Sequence, residues 1–278
     1  MKAKKIILAP AKLNIFLKVL GKRKDGYHII RSGITFINLF DQIEICESKE
    51  INISYKGPFK PKNNYANCII LKTLEFLKLD KNLKFNITIT KNIPVQGGLG
   101  SASTNAASVI IGLSEMNLIE LKEPKKYISL GSDIPCFLLN KNCLLTGIGD
   151  QLYPYSIPKY FFLLVKPNLN NSTKEMYKAL GFDCGSIDIN LNKNNFGIQD
   201  DDNGNDFEKI ISKKFIKIKS ILEFLANLDD VIFARLTGSG SVCFAAFETM
   251  DMAKNGKKIF IKEFPNLWTQ IVENNYNL

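Results

Sequence analysis

The sequence contains a single histidine, His28, and none of its six cysteines belongs to a C-x-x-C pair. Zinc sites of the common kinds draw several His and Cys ligands from short, regular spacings, so the sequence disfavours them. Most of the cysteines stand in apolar strings such as IPCFLL and SVCFAAF, where small core residues are expected. We therefore expect no metal site built from a cluster of side chains.

Long hydrophobic runs are also missing, since no stretch approaches the ~18 apolar residues that a transmembrane helix needs. In the opening MKAKKIILAPAKLN, Lys12 interrupts the apolar part before it reaches the ~7–15 residues usual in a signal peptide. Of the 278 residues, 45% are hydrophobic and 23% charged, which is typical of a soluble globular protein with room for two domains. We expect a cytoplasmic location and no membrane partner.

The net charge is strongly positive, at +10. Both a nucleic-acid binder and an enzyme that handles phosphorylated substrates can carry such an excess of basic residues. The lysines are scattered along the chain, and no basic tract has interleaved aromatic residues. Charge by itself leaves both classes open, while the absence of a basic tract favours a protein with no nucleic-acid partner.

The first half of the chain mixes predicted strands and helices without the strict alternation of an α/β protein. The first third reads as strands, followed by a helix at 67–78, a strand at 84–91 and a helix at 104–116. The segment YPYSIPKY (153–160) breaks the composition with two prolines. We place a domain boundary there.

The second half begins with a predicted strand, FFLLVKP, and a helix that Ser172 opens with Glu175 in capping-box register. A helix at 215–228 and a strand pair in RLTGSGSVCFAAF follow. The fold class is therefore α+β, with an N-terminal domain at 1–152 and a C-terminal domain at 153–278.

Three glycines and three hydroxyl residues are concentrated in the segment PVQGGLGSAST (94–104), just before a predicted helix. Backbone amides of a glycine loop can converge on an anion, and a helix N-terminus adds further N–H groups and a positive dipole end. The alternative is a tight turn with a Ser or Thr cap, which needs only one hydroxyl. The candidate phosphate-binding residues are Pro94, Val95, Gln96, Gly97, Gly98, Leu99, Gly100, Ser101, Ala102, Ser103 and Thr104.

Two common nucleotide motifs are absent from the sequence. No G-x-x-x-x-G-K-[ST] occurs, and Ser103 stands where a G-x-G-x-x-G would need its last glycine. His28 stands in GYHII rather than in the H-R-D context of a protein kinase. A phosphate loop at 94–104 would therefore be of another type.

Polar residues on the first strand form a second candidate site. With a period of two, Lys12 and Asn14 point to one face, as they would also do on an ordinary solvent-facing strand. The turn at Asp25–Gly26 then brings Tyr27 and His28 back alongside. An aromatic ring followed by a histidine can stack on a heterocycle and hydrogen-bond its edge.

Two further segments carry candidate residues. Asp133 in LGSDIPCF is either a general base or a helix N-cap, and Pro135 should push Ile134 towards an extended conformation. In LTGSGSVCF, the residues Gly238, Ser239 and Gly240 suit either a plain hairpin or close backbone packing against another loop.

The order of these four segments resembles the GHMP kinase superfamily: a strand with lysine, P-x-x-x-G-L-G-S-x-S, G-S-D-x-P and T-G-S-G-S. Within it, PAKLN together with DGYH resembles the branch that phosphorylates a cytidyl-diphosphate-linked methylerythritol. The resemblance covers most of the chain. It implies an N-terminal domain like the second domain of ribosomal protein S5, a ferredoxin-like C-terminal domain, and ATP as cosubstrate with Mg²⁺.

The resemblance also implies roles for single residues. Asp133 matches the catalytic aspartate and Lys12 the catalytic lysine, while segment 94–104 matches the ATP phosphate cradle. At the substrate the matches are Asn14, Thr173 and His28, with His28 at the cytosine edge. Tyr27 and Tyr177 match rings on the two faces of the cytosine, and Asn67 matches an asparagine near the adenine. A base at the attacked hydroxyl and a fixed positive charge near the transferring phosphoryl group are what this chemistry needs.

Three departures from the family pattern stand out. Ala102 replaces a usual glycine or serine, Thr104 replaces a common serine, and 117–130 is short and contains Pro124 where the family has a full helix. Two rival functions are a related kinase acting on mevalonate or homoserine, and an RNA-binding protein. DGYH argues against the first rival, because a substrate without a base gives that pair nothing to recognise. The sequence leaves the oligomeric state open.

Overall fold

The computed structural model describes residues 4–61, 69–80, 82–169, 171–183, 185 and 203–275. Within these ranges the strands are β1 (Lys4–Lys22), β2 (His28–Glu47), β3 (Asn52–Lys56), β4 (Phe85–Thr90), β5 (Cys143–Gly147), β6 (Gln151–Pro154), β7 (Phe161–Lys166), β8 (Phe233–Leu236), β9 (Cys243–Phe247) and β10 (Trp268–Glu273). The helices are α1 (Ile69–Leu77), α2 (Ser101–Glu115), a 3₁₀ helix (Pro124–Leu130), α3 (Ile134–Leu139), α4 (Thr173–Ala179), α5 (Phe207–Lys214), α6 (Ile216–Ala226) and α7 (Met250–Glu263).

The chain forms two compact units that are interleaved along the sequence. The first unit is Met1–Ala11, Leu39–Val95 and Gly100–Lys141, and the second is Lys12–Asn38, Gln96–Leu99 and Asn142–Leu278. β1 and β2 each contribute to both units. The predicted boundary between residues 152 and 153 stays a prediction; β6 runs across that point inside the second unit.

In the first unit, alternating residues of β4 are buried and line the core: Phe85, Ile87 and Ile89. β2 pairs with β4 in antiparallel register, and β3 pairs with β4 in parallel register. Helix α2 lies close to the strands, because a Cβ on Gly112 would stand 2.6 Å from Ile7 Cδ1. The predicted strand at 84–91 and helix at 67–78 are confirmed over the described residues.

The second unit contains a four-stranded antiparallel sheet in the order β10-β7-β9-β8. Along the chain, β7 is followed by helices, β8, β9, α7 and β10. This β-α-β-β-α-β connectivity is that of the ferredoxin-like fold, as predicted. Helices α6 and α7 pack against the sheet with the buried side chains of Ile218, Ile221 and Phe260.

Some helix predictions are wrong in extent. The helix predicted at 104–116 begins at Ser101, so three of its hydroxyl residues lie in the first turn. Helix α5 (Phe207–Lys214) was not predicted, because most of its residues are polar or charged and only Phe207 and Ile211 are buried. Ile134 is helical rather than extended, because its fully buried side chain is held in the core and Pro135 fits the first turn of α3.

The cysteines in the described residues are free thiols, and three of the four are buried. Burial raises the pKa of the Cys143 thiol to about 12, so it is an inert core residue. Cys68 and Cys184 lie outside the described residues. Among the described residues, every helix is too short or too polar to span a bilayer.

Candidate active site

The N-terminus of α2 has no side-chain cap. Its N-cap residue is Gly100, in a left-handed conformation (φ 73°), and no side chain accepts a hydrogen bond there. The alternative of a turn capped by Ser or Thr is therefore wrong. The first N–H groups of a 15-residue helix, at its positive dipole end, keep the hydrogen-bonding capacity that an anion requires.

The three hydroxyls of segment 101–104 have different surroundings. Lys91 Nζ donates to Ser101 Oγ, in a buried position. Thr104 is fully buried, and its Oγ1 has no hydrogen-bond partner. Ser103 is only partly buried, and Ala102 is exposed. Of the three hydroxyls, Ser103 is the one open to a ligand.

In the second unit, the glycine segment 96–99 packs backbone to backbone against the loop at 237–242. Ser241 N donates to Gln96 O (3.3 Å) and Val242 N to Gly97 O (3.1 Å). A Cβ on Gly98 (φ 78°) would overlap the carbonyl oxygen of Thr237. Glycine is needed at this close approach, and the plain-hairpin alternative is wrong.

Lys12 and Asn14 lie in a buried polar network next to that segment. Lys12 N donates to Leu99 O (3.1 Å), and Lys12 Nζ donates to Asn14 Oδ1 (2.5 Å). Asn14 N donates to Thr237 Oγ1 (3.1 Å), and Asn14 Nδ2 donates to Ser32 Oγ (2.8 Å). Both Lys12 and Asn14 are 3% exposed, so the alternative of an ordinary solvent-facing strand is wrong.

His28 and Tyr177 are brought together from distant parts of the sequence. Their rings are stacked at 4.6 Å between centroids and 28° between planes. Burial, with a smaller contribution from the Lys22 charge, lowers the pKa of His28 below 6.5. A neutral imidazole has one donor and one acceptor nitrogen, and Nε2 is buried without a partner. Tyr27, which precedes His28 in the sequence, is exposed.

Thr173 connects α4 to the late glycine loop. Its Oγ1 is 2.8 Å from Ser239 Oγ, and Asn171 Nδ2 donates to Ser239 O (2.8 Å). Thr173 and Tyr177 are four residues apart and share a face of α4. The prediction that Ser172 opens this helix is confirmed, because Ser172 Oγ accepts from Glu175 N, while the Glu175 carboxylate accepts from Lys214 Nζ.

Asp133 occupies the N-cap position of α3, but its side chain makes no capping hydrogen bond. The short segment behind it forms the 3₁₀ helix, which Pro124 opens. Tyr127 is buried in that helix and accepts a hydrogen bond from Lys122 N (3.2 Å). The segment therefore forms a short 3₁₀ helix anchored by the buried Tyr127, in place of the full helix expected from the family.

The structure groups the predicted residues into distinct sets. The second unit joins Lys12, Asn14 and Gly98 in one network, and joins Thr173 with Ser239 and His28 with Tyr177 in others. Asp133 and the first turn of α2 belong to the first unit, and Asn67 lies outside the described residues. Four buried polar residues of the second unit were not predicted as site members: Ser32, Asn171, Asn205 and Thr237. Three of them lie in segments that resemble the family, namely Asn171 in NLNNSTKEMYKAL, Asn205 in NGNDFE and Thr237 in T-G-S-G-S.

Among the described residues, no group of three or more His, Cys, Asp or Glu side chains is arranged to hold a metal ion. A divalent cation that is bound with a nucleotide takes ligands from phosphate oxygens, and a hydroxyl such as that of Ser103 can add to them. Hard oxygen ligands of this kind suit Mg²⁺.

The fold and the glycine-loop site define a GHMP kinase. Residues 64–153 match the family model for the GHMP kinases N terminal domain. A crystal structure of 4-(cytidine 5'-diphospho)-2C-methyl-D-erythritol kinase superimposes with a TM-score of 0.74, at 23% identity, over 96% of this chain and 99% of that one. The Methanococcus jannaschii mevalonate kinase has the same fold, with a TM-score of 0.61 at 18% identity over 99% of both chains.

Sequence similarity identifies the particular family. The chain is 34% identical over 267 residues to the 4-diphosphocytidyl-2-C-methyl-D-erythritol kinase of Buchnera aphidicola subsp. Acyrthosiphon pisum, covering 91% of this chain and 89% of that protein. It is 33% identical over 249 residues to the enzyme of that name in Francisella tularensis subsp. holarctica, covering 88% and 87%. The chain belongs to the 4-diphosphocytidyl-2-C-methyl-D-erythritol kinase family, and it is a small-molecule kinase.

Proposed function

We propose that the protein transfers the γ-phosphoryl group of ATP to the 2-hydroxyl of 4-diphosphocytidyl-2-C-methyl-D-erythritol, a step of non-mevalonate isoprenoid synthesis. The observation that carries this proposal is the similarity over about nine tenths of the chain to enzymes of that name. The proximity of His28 and Tyr177 adds support, because it brings together an imidazole of lowered pKa and an aromatic ring, the two kinds of group that suit a pyrimidine. The predicted cytoplasmic location and the absence of a nucleic-acid partner stay predictions.

In the proposed reaction, the 2-hydroxyl oxygen forms a bond to the γ-phosphorus while the bond to the β,γ-bridging oxygen breaks. Asp133 accepts the hydroxyl proton, and ADP leaves. A secondary alcohol is a weak nucleophile, so a positioned base is worth about 10²–10⁴ in rate. Lys12 carries a fixed positive charge that offsets charge on the transferring group. Support comes from the buried setting of Lys12 and from the position of Asp133 at the N-cap of α3.

The phosphates of ATP are assigned to the N-terminus of α2 and the preceding loop. The main-chain N–H groups there have no side-chain cap, and the Ser103 hydroxyl is open. Ser103 is also the protein ligand we assign to Mg²⁺, which would neutralise phosphate charge. Ser101 is excluded from that role because its oxygen already accepts from the Lys91 ammonium.

Cytosine recognition is assigned to Tyr27, His28 and Tyr177. In this structure the His28 ring stacks on one face of the Tyr177 ring. The Phe207 ring is perpendicular to the Tyr177 ring, at 4.9 Å between the two centroids. Stacking of the base on Tyr177 therefore requires either a shift of the His28 ring or use of the remaining face. Thr173 and Asn14 are assigned to the polar part of the substrate.

The proposal is tested by measuring ADP release with purified protein, Mg²⁺ and ATP, offering the cytidyl substrate, mevalonate and homoserine in parallel. We expect turnover with the cytidyl substrate alone. Turnover with mevalonate or homoserine, and none with the cytidyl substrate, would transfer the assignment to the rival kinase function.

The base assignment has a separate test. We expect Asp133→Asn to lower kcat by about 10²–10⁴ while ATP affinity stays close to wild type, because the base acts on the alcohol. Asp150→Asn is the matched control, an aspartate of the second unit whose carboxylate accepts from Ile148 N. Near-normal turnover of Asp133→Asn would remove Asp133 from the mechanism.

A further inference from the structure

A buried ion pair lies in the first unit immediately before the phosphate loop. Lys91 and Asp41 are 3% and 0% exposed, and Lys91 Nζ donates to Asp41 Oδ2. Burial lowers the pKa of the Lys91 ammonium, and the Asp41 carboxylate opposes that shift. The proposed reaction uses neither residue, but both contact the segments that flank the phosphate loop.

The second oxygen of Asp41 holds the chain that enters the loop. Asp41 Oδ1 accepts from Asn92 N (2.7 Å) and from Ile93 N (2.8 Å), directly before Pro94. Lys91 itself is fixed through its backbone, because its N donates to Lys56 O (2.8 Å). The start of the loop is therefore held by charge-assisted hydrogen bonds.

The same lysine holds the chain that leaves the loop. Lys91 Nζ donates to Ser101 Oγ and lies 3.5 Å from Ser101 O, in the first turn of α2. In the orientation that satisfies both atoms of its amide, Asn105 donates to Asp41 Oδ2 (2.9 Å) and to Ser101 O (3.1 Å), and accepts from Lys91 Nζ (2.9 Å). One ion pair thus holds both ends of the segment that contains Gly97, Gly98 and Gly100.

We propose that Lys91, Asp41 and Ser101 are positioning residues that hold the two ends of the phosphate loop at the spacing that ATP phosphates require. This inference rests on the proposed function for its ligand, ATP. A glycine-rich loop has many accessible conformations, and fixing its ends reduces the conformational entropy lost when the phosphates bind. The Ser101 hydroxyl acts through Lys91 and does not contact the nucleotide.

A role in folding alone would leave a different signature. Removing one member of a buried ion pair destabilises a protein because the other charge is left without compensation. The informative variants are therefore those that keep the pair or remove both charges together. Ser101→Ala keeps the ion pair and removes only its connection to α2.

The test measures the dissociation constant of Mg–ATP by calorimetry and compares it with the steady-state KM values. For Ser101→Ala we expect ATP binding to weaken about tenfold, the worth of one hydrogen bond to a charged group, with the KM of the cytidyl substrate unchanged. Ser101→Thr keeps the hydroxyl and should bind ATP like the wild-type protein. Ser108→Ala, at a buried serine further along α2, is the matched control and should bind like wild type.

The double variant Lys91→Met with Asp41→Asn removes both charges while keeping an oxygen for the Asn92 and Ile93 amides. We expect a thermal midpoint close to wild type, weakened ATP binding, and no further loss when Ser101→Ala is added, since the residues act as one unit. Wild-type ATP affinity in Ser101→Ala, an equal loss in Ser108→Ala, or additive effects would overturn the proposal. If the wild-type protein binds ATP but releases no ADP with the cytidyl substrate, the proposed function alone is overturned. The comparison of ATP binding among the variants would still decide whether Lys91, Asp41 and Ser101 position the loop.

Discussion

A single hydroxyl illustrates how burial decides what a residue can do. Thr104 Oγ1 is fully buried and has no hydrogen-bond partner, so the free-energy cost of its desolvation is not compensated. We expect Thr104→Val to raise the free energy of unfolding by about 1 kcal/mol, measured by chemical denaturation. Thr73→Val is the matched control, because Thr73 is equally buried but donates to Ile69 O (2.8 Å). An equal loss of stability in both variants would contradict the prediction.

The His28 imidazole sets a pH dependence at the residue scale. Because burial lowers its pKa below 6.5, protonation favours the unfolded state and removes the acceptor nitrogen as the pH falls through that range. The stability contribution of neutral His28 is therefore present above about pH 6.5 and is lost on acidification. We expect the KM of the cytidyl substrate to be flat from pH 7 to about 8.5 and to rise towards pH 5.

The control for this pH profile is His28→Asn, which keeps an amide donor and acceptor but does not titrate. Its KM for the cytidyl substrate should not depend on pH over the same interval. The KM of ATP, measured in parallel, should show no matching rise in either protein. A wild-type profile that His28→Asn reproduces would assign the pH dependence to another group.

At the scale of elements, the two glycine loops depend on direct contact between backbones. In Gly98→Ala the new methyl would overlap Thr237 O at a positive φ, so the loops would have to separate. We expect Gly98→Ala to lower the free energy of unfolding by more than the roughly 1–2 kcal/mol of left-handed strain alone. Gly181→Ala measures that strain by itself, since Gly181 has φ 75° and no atom within 4 Å of a Cβ. Equal losses in the two variants would show that the loops can separate freely.

The late glycine loop is also held by Asn205, from the segment NGNDFE. Asn205 Nδ2 donates to Leu236 O (2.9 Å) and to Gly238 O (2.8 Å), and Asn205 Oδ1 accepts from Phe207 N (3.0 Å). We expect Asn205→Ala to lower stability by about 2–3 kcal/mol, because it leaves buried carbonyls without donors. Asn227→Ala, at an exposed asparagine that donates to Glu223 O (2.7 Å), should change stability little. A small effect of Asn205→Ala on the melting temperature would contradict this role.

At the scale of the whole molecule, ligand binding should be visible as added stability. We expect saturating Mg–ATP, at about 100 times its dissociation constant, to raise the free energy of unfolding by about 2.7 kcal/mol in a thermal shift measurement. AMP lacks the phosphates that the α2 terminus is proposed to bind, so its effect should be much smaller. Equal shifts from AMP and ATP would argue against a phosphate-binding role of segment 94–104.

The sequence was sufficient for features that depend on local rules. The period-two pattern of β4 and the N-cap at Ser172 follow from neighbours in the chain, whereas the bare backbone at Gly98 is required by Thr237, which is distant in the sequence. The same local rules misplaced the start of α2, since serine and threonine are good caps and give no sign that Gly100 takes that position. They also misjudged Ile134, whose helical conformation is stabilised by burial.

By itself, the sequence determined the α+β class from apolar periodicity, and the family and the candidate residues from the order of its motifs; the resemblance to that family implied the ferredoxin-like connectivity. Only the tertiary structure decided that Lys12 and Asn14 are buried, that His28 stacks on Tyr177, and that Lys91 connects Asp41 to Ser101. These outcomes depend on residues brought together across 10 to 223 positions, where burial and charge pairing set the energy and no local pattern records the partner.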